Sequence, residues 1–333
     1  MKKKKFIYII GILFVMSAAC VYGAYLFLHH DMNPTGNTLY IYVDEDDTTD
    51  SISAKIHGGK GFMLLAKHGF TPRTGCYAIY PGADRLSVFH MLRNGQQTPI
   101  KLTIPSVRTL DKLASALGEK LMLDSAVFAE SFHDTLFAQK YGFTKETLPA
   151  LFIPNTYEMY WNVSLEGFMK RIQKEYDSFW TKKRQSCADS LGLSRLEVST
   201  LASIVDSETA NDGEKPKVAG MYVNRLKKRM LLQADPTVIF AIGDFSIRRV
   251  LFEHLKYESP YNTYLHIGLP PGPIRIPTVA GIDAVLHCEP NTYLYMCAKE
   301  DFSGTHNFAK TLSEHLRNAK KYQQALNKRK INK

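Results

Sequence analysis

Hydrophobic positions along the chain change period several times, and each change predicts an element. Lys2 to Lys5 precede an uncharged run from Phe6 to Leu28. As a helix at ~1.5 Å per residue this run is about 34 Å long, enough to cross a ~30 Å hydrocarbon core. A cleavable signal has a shorter apolar region. Ser17-Ala18-Ala19-Cys20 gives a weak lipoprotein reading, since Ser17 stands where an aliphatic residue is usual. The expectation is a retained transmembrane helix over 6–28, with 1–5 as a cytoplasmic tail under the positive-inside tendency. The polar stretch 29–37 reads as a linker.

Beyond it, Leu39 to Val43 is rich in β-branched and aromatic residues and predicts a strand. A short helix is expected before Ala66, a strand from Gly75 to Tyr80, a helix from Leu86 to Arg93 closed by Asn94-Gly95, and a strand from Ile100 to Ile104. These make a small α+β module over 38–105. Residues 106–193 read as a helical connector. Helices open at Thr109, span Ala126 to Phe137 and run amphipathically from Leu165 to Lys182, with an extended aromatic loop from Leu151 to Tyr157. Gly58-Gly59-Lys60-Gly61 reads as a turn, because it lacks the spacing and hydroxyl of a phosphate loop.

The segment 194–326 carries the candidate chemistry, with 327–333 as a basic tail. Ser194 and Glu197 form an S-x-x-E capping box. Val198, Leu201, Ala202 and Val205 recur at helical spacing and define a buried face. At ~100° per residue, Glu208 falls about 20° from Leu201, at the edge of that face, and Asp206 about 160° from Glu208, toward solvent. Desolvation disfavours a charged carboxylate, so Glu208 is expected to titrate high and to hold a proton it can donate to a glycosidic oxygen. The competing reading is a helix-end Glu in a surface ion pair. A helix follows from Pro216 through Leu226, carrying Asn224 and Arg225. Asp235 reads as the cap of another, with Pro236 in its first turn. Tyr261-Asn262-Thr263-Tyr264 gathers groups that suit sugar rings and hydroxyls, although tyrosines also build cores. Gly268 to Ile274 is a stiff Pro-Gly loop.

Composition narrows the classes. The chain has 333 residues, 45% hydrophobic, which excludes a disordered polymer and suggests roughly two ordinary domains. Lys and Arg exceed Asp and Glu by 42 to 32, a net charge of +10 that favours anionic partners. The charges form no docking stripe, so nucleic acid is not an expected partner. Cys76, Cys187, Cys288 and Cys297 are dispersed, and free thiols or disulfides both remain open. Cys288, Cys297 and His306 match no common zinc spacing, so neither metal nor cofactor is expected.

Five runs together resemble one family, the endolytic murein transglycosylases (MltG or YceG-like). They are LFIPNTYEMYW from Leu151, LASIVDSETA from Leu201, VAGMYVNRLKKRMLLQADPTVIFAIG from Val218, SPYNTYLHIGLPPGPI from Ser259 and THNF from Thr305. The resemblance implies a LysM-like domain at 38–105 and a mixed α/β catalytic domain at 194–326. It implies cleavage of the MurNAc-β-1,4-GlcNAc bond in nascent peptidoglycan strands, leaving 1,6-anhydro ends, with Glu208 as acid and then base. Asn224, Gln233, Asp235, Tyr261 and Asn262 match positions expected to line the substrate groove. It further implies an extracytoplasmic location on the inner membrane and association with peptidoglycan polymerases. Asn155, Ser106-Val107 and Asp206-Ser207 depart from the family's usual Asp, Glu-Gly and Glu-Lys. The alternatives are a muramidase-type hydrolase, for which Asp235 is the motif-borne second carboxylate, and an anchored wall-binding scaffold without activity.

Overall fold

The computed structural model describes residues 2–57, 59–67 and 70–328, which form an α+β protein of many helices and three two-stranded sheets. Gly58, from the expected turn, and 329–333, from the basic tail, lie outside the described residues. Helix α1 (Lys2–Leu28) is the one described helix long and apolar enough to cross a membrane. The chain divides into two compact units: one through Leu102 with two short later segments, the other holding the rest.

The first unit is built on β1 (Leu39–Val43) paired antiparallel with β2 (Gly75–Ile79), Leu39 opposite Ile79 and Val43 opposite Gly75. Strand period explains β1: Ile41 and Val43 are buried, whereas Tyr40 and Tyr42 are exposed. The expected single helix before Ala66 is two, α2 (Thr49–Lys55) and α3 (Gly59–Ala66). Thr48 and Ser51 form a capping box on α2. A Cβ at Gly59 would sit 1.8 Å from the Ser53 carbonyl oxygen, so only glycine lets α3 start this close to α2. Asp84 caps α4 (Arg85–Asn94), which ends on a left-handed Gly95. Ile52, Phe62, Tyr77, Val88 and Leu92 fill the core.

Residues 29–37, expected to be a linker, are in part packed into this core. Met32 and Asn33 are buried. The Met32 amide donates to the Ala83 carbonyl at 2.9 Å, and Asn33 Nδ2 donates to the Ile79 carbonyl at 2.7 Å. His29 meets Asp84 at 2.5 Å, and Arg85 stacks its guanidinium on the Phe27 ring 4.3 Å away. The polar composition of the segment conceals Met32 as an anchor.

Strand β3 (Ile100–Thr103) leads to α5 (Leu110–Gly118). The helix expected over Ala126–Phe137 is α6 (Ser125–His133) and α7 (Thr135–Lys140). They break at Asp134, whose carboxylate accepts from the Leu136 amide at 2.9 Å. Strand β4 (Thr156–Met159) pairs with β3. The long amphipathic helix stops earlier than expected: α8 (Leu165–Phe179) gives way at Thr181, which caps α9 (Lys182–Leu191). Phe128, Phe132, Phe152 and Phe168 interlock edge to face, with Phe132–Phe152 and Phe128–Phe168 centroids both 5.3 Å apart.

The second unit continues through α10 (Arg195–Glu208), α11 (Lys215–Lys227), α12 (Asp235–Ile242) and α13 (Val279–Leu286). The hairpin β5 (Tyr295–Ala298) and β6 (His306–Ala309) then leads into α14 (Leu312–Lys328).

Candidate active site

Helix α10 begins as its sequence dictates. Ser194 Oγ accepts from the Glu197 amide at 3.2 Å, and Glu197 accepts from the Ser194 amide at 2.8 Å. Every residue from Val198 to Asp206 is buried, because helices pack around α10 on more than one face. Asp206 therefore does not face solvent as its helical phase suggested. Its carboxylate meets Lys215 Nζ at 2.7 Å and accepts from the Thr278 amide at 2.6 Å and the Thr278 hydroxyl at 2.8 Å. A Cβ at Gly281 would stand 2.5 Å from both Asp206 oxygens, so glycine there admits the carboxylate. The C-terminal turn of α10 is thus pinned to the starts of α11 and α13.

Glu208 is the last residue of that helix and is half-buried. It opens on a cleft of about 450 Å³ shared with Tyr222, Arg225, Gln233, Asp235, Tyr264 and His306. Desolvation pushes the Glu208 carboxyl up to about 7. The Tyr222 hydroxyl, which donates to Glu208 Oε1 at 2.7 Å, opposes this; the Asp235 charge adds to it; and His306 and Arg225 oppose it more weakly.

The guanidinium in the cleft wall is occupied elsewhere. Arg225 donates to the Leu294, Leu231 and Leu232 carbonyls at 2.6, 2.9 and 3.0 Å, and to Gln233 Oε1 at 3.2 Å. It thereby fixes the chain between α11 and α12. Gln233 itself is left-handed, with φ of 52°, and its amide donates to the Thr263 carbonyl at 3.1 Å. Asp235 sits at the first turn of α12 rather than capping it; Ala234 holds the cap position without a side-chain bond. The Asp235 carboxylate instead accepts from the Tyr264 hydroxyl at 2.6 Å, at the cleft edge.

Of the residues singled out from sequence, Glu208, Gln233 and Asp235 share the cleft, and Asn224, Tyr261 and Asn262 do not line it. Asn224 Nδ2 ties α11 to the Asn291 and Tyr293 carbonyls, each at 3.0 Å. Asn262 donates to the Leu255 and Tyr257 carbonyls at 3.0 and 2.8 Å and accepts from the Tyr264 amide at 3.0 Å, which orients that tyrosine. Tyr261 packs on Phe240 with centroids 4.8 Å apart. Sequence reading missed Tyr222, His306 and His315 as cleft residues. The first was legible only as an apolar face position of α11, and the histidines come from the far hairpin and α14. All five cysteines are free thiols, and among the described residues no group of three or more His, Cys, Asp or Glu is placed to hold a metal.

Fold and cleft define a class: an α+β chain with one apolar N-terminal span and a single carboxylic acid tuned to near neutrality in an open, tyrosine-edged groove. Within that class the chain belongs to the YceG-like family, whose model matches residues 41–321. It is similar to the endolytic murein transglycosylase of Bacillus subtilis strain 168, with 31% identity over 288 residues, covering 80% of this chain and 78% of that one. The endolytic murein transglycosylase of Streptococcus pneumoniae strain D39 is 26% identical over 308 residues, 83% of this chain. The chain spans only 56% of that relative's length. Among solved structures, a YceG-like protein from Listeria monocytogenes superposes with a TM-score of 0.57 at 26% identity, covering 84% of this chain and 98% of that one.

Proposed function

We propose that this protein is an endolytic lytic transglycosylase that cuts the MurNAc-β-1,4-GlcNAc bond of nascent peptidoglycan, with Glu208 as its acid and base. The observation that carries this reading is the Glu208 carboxyl, raised to about 7 in an open cleft. At that value a large share of the enzyme holds the proton near neutral pH, yet the conjugate base is accessible. The reaction begins as Glu208 gives its proton to the glycosidic oxygen and the C1–O4 bond breaks. The muramyl C6 hydroxyl then attacks C1, closing the 1,6-anhydro ring, and its proton ends on the Glu208 carboxylate. No water is consumed. Tyr222 holds the carboxyl in register through the step.

Residues 38–105 act as a LysM-like wall-binding module in this reading. Helix α1 anchors the chain with Lys2–Lys5 in the cytoplasm and the rest outside it, where peptidoglycan polymerases supply fresh strands. The named relatives support the activity, and the length and composition of α1 support the anchor.

Asp235 in the same cleft favours a second reading, hydrolysis by a pair of carboxylates. Product analysis separates the two. Full-length protein in detergent, incubated with glycan strands, is expected to yield 1,6-anhydroMurNAc ends by mass spectrometry, and Glu208→Gln to lose about 10²–10⁴-fold in rate. Reducing ends would favour hydrolysis. Undiminished cutting by Glu208→Gln would remove Glu208 from the chemistry.

A further inference from the structure

One buried carboxylate outside the chemistry just described grips two parts of the site at once. Glu214, just before α11, is 9% exposed. Its Oε1 accepts from the His306 backbone amide at 2.7 Å, and its Oε2 meets His306 Nδ1 at 2.9 Å. The same Oε2 accepts from the hydroxyl of Thr209 at 3.2 Å, and Thr209 is the residue that follows Glu208. One side chain therefore fixes the imidazole relative to the acid, although they stand on β6 and at the end of α10.

The chemistry of this grip sets the tautomer. An ionised carboxylate only accepts, so Nδ1 carries the hydrogen in the pair. A neutral imidazole then keeps its lone pair on Nε2, at the opposite edge of the ring. Nε2 makes no hydrogen bond to any described residue, and His306 lines the cleft that Glu208 opens on. This is the arrangement of a base with its orienting carboxylate behind it.

We propose that His306 is a second catalytic residue, which takes the proton from the muramyl C6 hydroxyl and returns it to Glu208, with Glu214 as its positioning residue. This deepens the transglycosylase reading and rests on it. The proton of Glu208 passes to O4 as C1–O4 breaks. The C6 oxygen bonds to C1 while its proton moves to Nε2, leaving an imidazolium faced by the Glu214 carboxylate. The imidazolium then gives that proton to the Glu208 carboxylate, directly or through one water. Both groups end as they began. The division of labour relieves a geometric demand, since one carboxyl need not reach both O4 and O6.

The decisive variant is His306→Asn in the full-length protein. An Asn amide can keep the hydrogen bond to Glu214 while removing Nε2. The expected result is a fall in kcat of about 10²–10⁴-fold with KM and melting temperature little changed. His306→Ala should lose as much and regain activity with added imidazole, a response that a purely structural histidine would not give. Glu214→Gln should also lower kcat, and combining it with His306→Asn should add little further loss. Wild-type turnover by His306→Asn, or no rescue of folded His306→Ala, would overturn the relay. Wild-type products with reducing ends, or an active Glu208→Gln, would instead overturn the reading beneath it.

Discussion

Ionising Glu208 weakens the folded state, and the sign follows from where its proton is held. An exposed Glu releases its proton near 4.5, whereas the folded site holds it to about 7. Between those values the native state carries a proton that the unfolded chain has lost, so this residue's contribution to stability falls as pH rises through the window. Above about 7 the loss is complete. Glu208→Gln removes it and should stabilise the protein at pH 8 by an amount on the order of 1–3 kcal/mol. The gain should fade toward pH 4, where native and unfolded glutamates are both protonated. Paired melting curves at the two values measure it; equal shifts at both would show that the site does not perturb the acid. At this scale Glu208 was legible, since helical phase placed it at the margin of an apolar face. Its partners were not. Tyr222 reads only as an apolar face position of the next helix, and His306 comes close only when a remote hairpin folds back.

Helix α10 illustrates what a single helical wheel cannot reveal. Its capping box and apolar stripe were readable, but the wheel assigns one dry face, and this helix is enclosed on several. That is why Asp206, opposite in phase to Glu208, is buried against Lys215 and Thr278 instead of meeting water. A buried pair of this kind adds little net stability while intact, and removing one partner costs much. Lys215→Met should destabilise the protein by about 3–5 kcal/mol, and joining it to Asp206→Asn should recover part of that. Chemical denaturation reads both. Gly281→Ala places a methyl 2.5 Å from the Asp206 oxygens and should cost about 1–3 kcal/mol. Because the same turn carries Glu208, kcat should fall with it while α1 and the first unit are unaffected. The helix breaks at Asp134 and Thr181 escaped the sequence reading for a related reason. Both residues are ordinary within a helix and decisive as caps, and only the surrounding chain determines which role they take.

At the scale of the whole molecule, α1 should keep the protein with membranes through high salt, and detergent should release it. Removing residues 2–28 should move the remainder to the soluble fraction; a truncated chain still sedimenting with membranes would point to a second attachment. The α+β class and the position of the apolar N-terminal helix followed from periodicity and length. The packing of 29–33 did not, because one buried methionine among polar neighbours carries no periodic signal. That packing has a mechanical outcome. Nine free residues could let a domain wander about 30 Å from its mooring at ~3.3 Å each. With Phe27, His29, Met32 and Asn33 fastened to the first unit, that slack is largely withdrawn. The first unit is therefore held on a short lead at the C-terminal end of α1, where a loose tether would have let it drift.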